Sequence, residues 1–111
     1  MKLNHNYYVY IVECKDGSFY TGVTNNIEYR LWQHNEGINP NSYTYTKRPV
    51  VLKYFQHFQQ VEGAIKWKKQ LKGWSRKKKE ALFKEDWNEI KRLAKSSTEE
   101  FLPNYPSTSS G

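Results

Sequence analysis

The sequence lacks the features that would place it in a membrane or outside the cell. Its longest apolar run covers only a few residues around positions 9–12, far short of the roughly 20 residues of a membrane-spanning helix. No charged segment followed by an apolar stretch opens the chain, so we expect no secretory signal. The single cysteine, Cys14, cannot form an internal disulfide. We therefore expect a cytoplasmic protein in which Cys14 is a packing residue.

Acidic residues are also few compared with basic ones. The 111 residues include 18 Lys and Arg against 11 Asp and Glu, a formal net charge of +7, and 16% are aromatic. A basic domain rich in aromatic residues suits a polyanion with flat bases, which is nucleic acid. Positive charge that only keeps a small protein soluble is the alternative, and composition alone does not separate the two.

Three segments are predicted as strands. The first, residues 7–14, is dense in aromatic and β-branched side chains. Asp16-Gly17 is the strongest short signal for a hairpin, and it separates this strand from a second at residues 19–24. Arg48-Pro49 precedes the third strand, at residues 50–55.

Helical patterns follow the second and third strands. Asn25 or Asn26 can cap a first helix that begins near Ile27 and ends at Gly37. Two further stretches have apolar residues at helical spacing, and the second of them leaves open whether it is one helix or two. The first of these has Val61, Ala64, Ile65 and Leu71 and ends at Gly73; the other is capped by Ser75 and has Phe83, Trp87, Ile90 and Ala94.

This order of elements, β-β-α-β-α-α, predicts a small α/β (α+β) domain with a three-stranded sheet flanked by helices. The 37% hydrophobic fraction suffices for one modest core, so we expect one domain over residues 1–95. Residues 96–111 are rich in Ser, Thr, Pro and Glu and are expected to form a disordered tail.

Four residues stand out as a candidate site. Tyr10 and Tyr20 lie on the two strands of the predicted hairpin, and Arg30 and His34 lie one turn apart on the first helix. Each has an ordinary interpretation. The tyrosines are also what a hairpin uses for cross-strand packing, and Arg30 with His34 also suits a solvated helix face.

The ordered series of motifs resembles the GIY-YIG nuclease superfamily, in its short stand-alone bacterial branch, which is similar to the N-terminal domain of a bacterial excinuclease. The residues that carry this resemblance are Tyr8-Val9-Tyr10, Cys14-Lys15-Asp16-Gly17-Ser18, Tyr20-Thr21-Gly22-Val23-Thr24-Asn25, Arg30-Leu31, His34-Asn35, Gly37, Tyr43-Thr44, Arg48-Pro49-Val50 and residues 69–82.

The resemblance implies a three-stranded antiparallel sheet and a DNA endonuclease of the DNA-repair type that uses one divalent metal ion, Mg²⁺ or Mn²⁺. It implies that Tyr20 helps to activate the attacking water, with Tyr10 beside it. It implies that Arg30 stabilises charge on the phosphoryl group and that His34 orients or relays a proton. The metal would be held by a glutamate on the second helix.

The position of that glutamate is Lys68 in this sequence. A lysine ammonium only donates hydrogen bonds and repels a divalent cation. Lys68 either extends to the surface from the edge of the core, or supplies a charge in place of the metal, or leaves the ligand role to Glu62, which lies on another face of the helix. No metal ligand is therefore assigned, and a catalytically inactive nucleic-acid-binding module is the alternative to an endonuclease.

A run of cations without an acid follows in the same region, and lysines contact phosphates without reading sequence. The residues expected to contact nucleic acid are Lys47, Arg48, Lys68, Lys69, Lys72, Arg76, Lys77 and Lys78. Trp67 and Trp74 can stack on bases, but a place in the core is the better interpretation for both. An acidic protein is a third kind of partner. We expect no small-molecule cofactor and no membrane.

Overall fold

The computed structural model describes residues 6–95. The strands are β1 (Tyr7–Glu13), β2 (Phe19–Thr24) and β3 (Val51–Phe58). The helices are α1 (Ile27–Glu36), α2 (Val61–Lys72), α3 (Arg76–Phe83) and α4 (Trp87–Lys95), with a short 3-10 helix at Tyr45–Lys47. The three strands form one antiparallel sheet in the order β2-β1-β3, which confirms the predicted α+β fold.

The chain divides into two compact units, Met1–Lys69 and Gln70–Gly111, and the boundary falls within α2. The single domain predicted over residues 1–95 stays a prediction, and the predicted tail at 96–111 lies outside the described residues. Among residues 6–95, no helix is long and apolar enough to cross a membrane.

The hairpin between β1 and β2 turns at the predicted Asp16-Gly17. Gly17 has a φ of 88°, a conformation that glycine adopts without strain. The Asp16 carboxylate accepts hydrogen bonds from the Ser18 backbone N–H at 3.0 Å and from the Ser18 hydroxyl at 2.6 Å. These bonds, with help from Lys47, lower the pKa of Asp16 to about 2. The turn thus holds the register that places Tyr20 beside β1.

Both ends of α1 are capped as predicted. The Asn26 side chain accepts a hydrogen bond from the Tyr29 N–H at 3.0 Å, and Gly37 ends the helix in the left-handed conformation with a φ of 68°. These caps fix the helical phase that turns His34 toward the sheet, and His34 is buried.

The core of the first unit has a layer on each face of the sheet. On one face, Tyr10, Val12, Cys14 and Val50 pack together, with Leu31, Leu52 and Tyr20 against them. The Trp67 indole of α2 donates a hydrogen bond to the Tyr54 hydroxyl at 3.0 Å on the other face. Cys14 is buried as expected, and burial raises the pKa of its thiol.

Strand β3 pairs with β1 through an irregularity. Tyr10 lies opposite Phe55, and Ile11 lies opposite Tyr54, but Val12 lies opposite Leu52. Lys53 is the extra residue of a bulge on β3.

The second unit contains the predicted third helical stretch as two helices. The Ser75 side chain accepts from the Lys78 N–H at 3.2 Å and caps α3. The helix ends after Phe83, where Glu85 has a φ of 57°, and α4 then packs against α3. The apolar residues Leu71, Trp74, Leu82, Ile90 and Ala94 are buried.

Candidate functional site

Tyr10 and His34 meet between β1 and α1. The Tyr10 hydroxyl lies 2.9 Å from His34 Nε2, and both side chains are buried. Gly22 is the register partner of Tyr10 on β2, and its lack of a side chain leaves room for the phenol ring. The sheet and the helix therefore fix the relative position of these two predicted site residues.

The other imidazole nitrogen of His34 meets the loop that follows α1. His34 Nδ1 lies 2.7 Å from the Thr44 hydroxyl, which lies 2.9 Å from the Ser42 hydroxyl. Ser42 Oγ in turn accepts a hydrogen bond from the Thr44 backbone N–H at 3.1 Å. Tyr10, His34, Thr44 and Ser42 form a continuous hydrogen-bonded chain. Its protons can be arranged in either direction, so the chain suits proton relay through the imidazole.

Burial sets the protonation state of this chain. It strongly raises the pKa of the Tyr10 phenol, an effect that the nearby Tyr20 adds to and Arg30 partly opposes. Burial also lowers the pKa of His34, and the positive charge of Arg30 lowers it further. At neutral pH both groups are therefore uncharged, and Tyr10 is a hydrogen-bonding group rather than a base.

Tyr20 joins the site through its ring. Its centroid lies 5.5 Å from that of His34 and 6.3 Å from that of Tyr10. Tyr43 stacks on Tyr20 at 5.8 Å with an angle of 18° between the rings. Lys47 Nζ lies 5.0 Å from the centre of the Tyr43 ring. The loop after α1 therefore covers part of Tyr20.

A cavity of about 420 Å³ lies beside these residues. It is lined by Tyr20, Arg30, Gln33, His34, Gly37, Ile38, Asn39, Asn41, Ser42, Tyr43, Thr44 and Tyr45. The lining includes amide and hydroxyl groups but no carboxylate, and Arg30 is its one residue with a permanent charge. Arg30 Nε is buried without a hydrogen-bond partner in the part of the chain that the structure describes.

Two of the predicted nucleic-acid contacts, Lys47 and Arg48, are engaged within the protein. Lys47 Nζ forms a salt bridge with Asp16 at 3.1 Å. Arg48 Nε donates to the Tyr45 carbonyl at 2.7 Å, and its guanidinium lies 4.7 Å from the Tyr45 ring centre. Both residues keep part of their surface exposed, so their expected contacts with phosphate stay predictions.

The other residues predicted to contact nucleic acid differ in how far their side chains are exposed to solvent. Lys69, Lys72, Arg76 and Lys77 are exposed and Lys68 is half-buried. Lys78 is only 2% exposed, and its ammonium lies 4.2 Å from the centre of the Trp74 ring. The structure thus places Lys78 inside the second unit, away from the solvent-facing cations. Both Trp67 and Trp74 are buried, as the core interpretation expected.

The buried stripe of α2 differs from the predicted one. Ala64, Trp67 and Leu71 are buried, whereas Ile65 is 39% exposed, so its assignment to the inward stripe was wrong. Trp67 takes the inward position because its indole reaches Tyr54. Lys68 therefore lies at the edge of the buried stripe.

The residues present do not fit a divalent metal ion held as the resemblance implies. Within residues 6–95, no group of three His, Cys, Asp or Glu side chains is close enough to hold one. Lys68 supplies donors only. Glu62 is exposed in the first turn of α2. The hydrogen-bonded chain from Tyr10 to Ser42 and the Arg30 cavity are thus present, whereas Lys68 occupies the position of the glutamate that the resemblance implies as metal ligand.

Sequence reasoning gave no role to Thr44, Ser42 or Tyr43. Tyr43-Thr44 was among the motifs that carry the resemblance, which is the signal that marked the loop. The contacts of Thr44 with His34 and of Tyr43 with Tyr20 depend on the conformation of this loop, which no periodic sequence pattern predicts.

Comparison with known proteins identifies the family. The GIY-YIG catalytic domain family matches residues 6–81. The UPF0213 protein of Bacillus pumilus is 38% identical over 96 residues, which cover 86% of this chain and 92% of that protein. The UPF0213 protein of Staphylococcus haemolyticus is 44% identical over 79 residues, covering 71% and 95%. The solution NMR structure of the UPF0213 protein from Bacillus halodurans is 43% identical and covers 69% of this chain and 81% of its own, with a TM-score of 0.45. This chain belongs to the GIY-YIG catalytic domain family.

Proposed function

We propose that this protein binds nucleic acid and that the cavity beside Tyr20, Arg30 and His34 holds a backbone phosphate. The observation that carries this proposal is Arg30, the one permanently charged residue in the lining of a cavity that has no carboxylate among its lining residues. A guanidinium that meets no carboxylate there is left to pair with a ligand anion. A phosphate would accept charge-assisted hydrogen bonds from the guanidinium and neutralise its charge.

The chemistry of the cavity favours an anion over a cation. The neutral state of His34 leaves the guanidinium as the charge that a ligand meets. Gln33, Asn39 and Asn41 add amide donors that suit phosphate oxygens.

A polyanion is favoured over a small anion by the second unit. Lys79 is half-buried, and burial together with the charges of Lys72 and Arg76 lowers its pKa. Like charges held this close repel one another. A polymer of phosphates would relieve that repulsion, and the net charge of +7 suits the same partner. DNA is the polymer that the resemblance implies; a role in DNA repair and a cytoplasmic location stay predictions.

Endonucleolytic cleavage is the second candidate function, because the tyrosines, arginine and histidine of the family pattern lie together. Arg30 would bind the phosphoryl oxygens, and the chain from Tyr10 to Ser42 would move a proton through His34. A divalent metal, where bound, supplies Lewis-acid stabilisation worth several kcal/mol. Lys68 disfavours the binding of a metal ion, so nucleic-acid binding, which needs no metal, is the first candidate function.

Binding is measured by fluorescence anisotropy with a labelled DNA duplex and a labelled single strand. Arg30→Gln removes the guanidinium and is expected to weaken binding of both by about tenfold or more, since hydrogen bonds to charged groups contribute about 1.5–3 kcal/mol. Arg92→Gln removes the same charge from an exposed ion pair with Glu89 and serves as the matched control. Equal affinities of Arg30→Gln and the wild type would reject the phosphate site.

A further inference from the structure

Among residues 6–95, the sheet face that carries Tyr10 has a half that no other element covers. Residues that lie opposite one another on antiparallel strands point to the same face. Tyr8 lies opposite His57, and Tyr10 lies opposite Phe55, so these four side chains share one face. Toward the other end of that face, Leu31 of α1 covers the core cluster.

Three rings form the uncovered half, which we call the ring platform: Tyr8, Phe55 and His57. The Tyr8 centroid lies 6.1 Å from that of Phe55 and 5.2 Å from that of His57. Phe55 is 54% exposed, His57 is exposed and Tyr8 is half-buried. His57 Nε2 donates to the Asn6 side-chain oxygen at 2.8 Å, which holds its ring in place. Adjacent exposed rings of this kind indicate an interaction surface.

We propose that the ring platform stacks the unpaired bases of a nucleic acid strand whose phosphate lies in the Arg30 cavity. This proposal rests on the proposed function. Every base has a flat face that stacks on an aromatic ring, whatever its sequence, whereas a duplex hides these faces. Aromatic residues on neighbouring strands of an exposed sheet bind single-stranded RNA in this way in other domains.

Continuity with the cavity supports this occupant. Tyr10 connects the two features, because it lies opposite Phe55 and its hydroxyl meets His34, which lines the cavity. Tyr8 is two residues from Tyr10, about 6.8 Å along the strand at about 3.4 Å per residue. A strand with its phosphate at Arg30 can thus lay neighbouring bases on the platform.

The other occupants fit less well. A stable dimer needs about 800 Å² on each partner, from about 20 residues or more. The platform has three rings. An acidic peptide would require cations, and the platform contains no Lys or Arg.

The test compares three oligonucleotides of equal length: a single strand, the same strand with abasic sites, and the duplex. Phe55→Ala is expected to weaken binding of the single strand by about tenfold and to leave duplex binding and the salt dependence unchanged. Phe55→Trp is expected to restore single-strand binding. Val51→Ala is the matched control, because Val51 is 59% exposed on the same strand but lies opposite Glu13 on the other face.

Loss of affinity for the abasic strand in the wild type, with no further loss in Phe55→Ala, would support the platform. Equal binding of the abasic and normal strands would overturn it, as would a Phe55→Ala variant that binds like the wild type. A dimer in sedimentation that Phe55→Ala dissociates would also overturn it, in favour of a second copy. If Arg30→Gln still weakens binding in these cases, the proposed phosphate site stands; if the wild type binds no nucleic acid, both proposals fall.

Discussion

The Tyr10 ring occupies the space that a side chain on Gly22 would fill. A Cβ added at Gly22 would lie 2.6 Å from the Tyr10 hydroxyl oxygen and 2.7 Å from the ring carbon that bears it. Because the same Tyr10 hydroxyl is hydrogen-bonded to His34, a shift of the ring away from Gly22 would disturb that bond. Glycine at this position is thus a steric requirement of the site.

Gly22→Ala is therefore expected to lower the free energy of unfolding by about 1–3 kcal/mol, the usual cost of overpacking a core. Gly63→Ala is the matched control. There the new Cβ would meet Phe58 at an ordinary 3.4 Å inside α2, so stability should stay level or rise. Urea denaturation measures both, and a Gly22→Ala variant as stable as the wild type would contradict the steric argument.

The depressed pKa of His34 predicts a pH dependence of stability. As pH falls through the ordinary value of 6.5, the unfolded chain takes up a proton that folded His34 does not. The free energy of unfolding should therefore decrease below about pH 6.5 until folded His34 also protonates, and then level off. Unfolding curves between pH 8 and pH 5 measure this, and His34→Gln should remove part of the slope. An unchanged slope would show that His34 is not the group responsible.

Thr44 is expected to set the position of the His34 proton. Thr44→Val keeps the shape but leaves His34 Nδ1 without the hydroxyl, which should cost about 1–3 kcal/mol of stability. It should also change the imidazole ¹⁵N chemical shifts of His34. Thr44→Ser retains the hydroxyl and should behave like the wild type in both measurements. Identical ¹⁵N shifts in Thr44→Val and the wild type would exclude this role.

Lys68→Glu is expected to create Mg²⁺- or Mn²⁺-dependent cleavage of plasmid and branched DNA, because a carboxylate can bind the cation that a lysine repels. Lys69→Glu makes the same charge change at the next, exposed position and should not cleave. Tyr20→Phe in the Lys68→Glu background should abolish the new activity. Cleavage by the wild type, lost in Tyr20→Phe, would show instead that the native site is a working nuclease.

Lys77 and Lys78 are expected to differ in binding although they are neighbours in the sequence. Lys77→Met should reduce the slope of log affinity against log salt by about one, because an exposed cation loses its phosphate. Lys78→Met should leave that slope unchanged, since the Lys78 ammonium lies over the Trp74 ring. A smaller slope in Lys78→Met would mean that the buried lysine reaches the nucleic acid.

Most of the sheet was predictable because turns and strands are indicated by residues that are close together in the sequence. The Asp16-Gly17 turn and the dense β-branched segments fixed β1 and β2 to within one residue. Strand β3 continues to Phe58, beyond the predicted end at Phe55. The alternation of Gln56, His57 and Phe58 is the signal that this prediction left out.

The features that the sequence left open depend on the three-dimensional surroundings. The end of α3 at Phe83 has no Gly or Pro, and Glu85 takes the positive φ there. The burial of Lys78 was not predicted, because the run of cations around it favoured contact with phosphate. Its spacing of three and four residues from Ala81 and Leu82, both buried, was the contrary signal.

The bulge at Lys53 determines which side chains of β3 share one face of the sheet. Side chains of a regular strand alternate between faces, so Leu52 and Phe55, three residues apart, would point in opposite directions. With one extra residue between them, Leu52 enters the core beneath α1 while Phe55 and His57 stay on that same side, open to solvent. If β3 kept Lys53 but paired with β1 without the bulge, one of these two sets would be turned to the opposite face. The sheet would then have either its apolar layer or its exposed rings beside Tyr10, but not both.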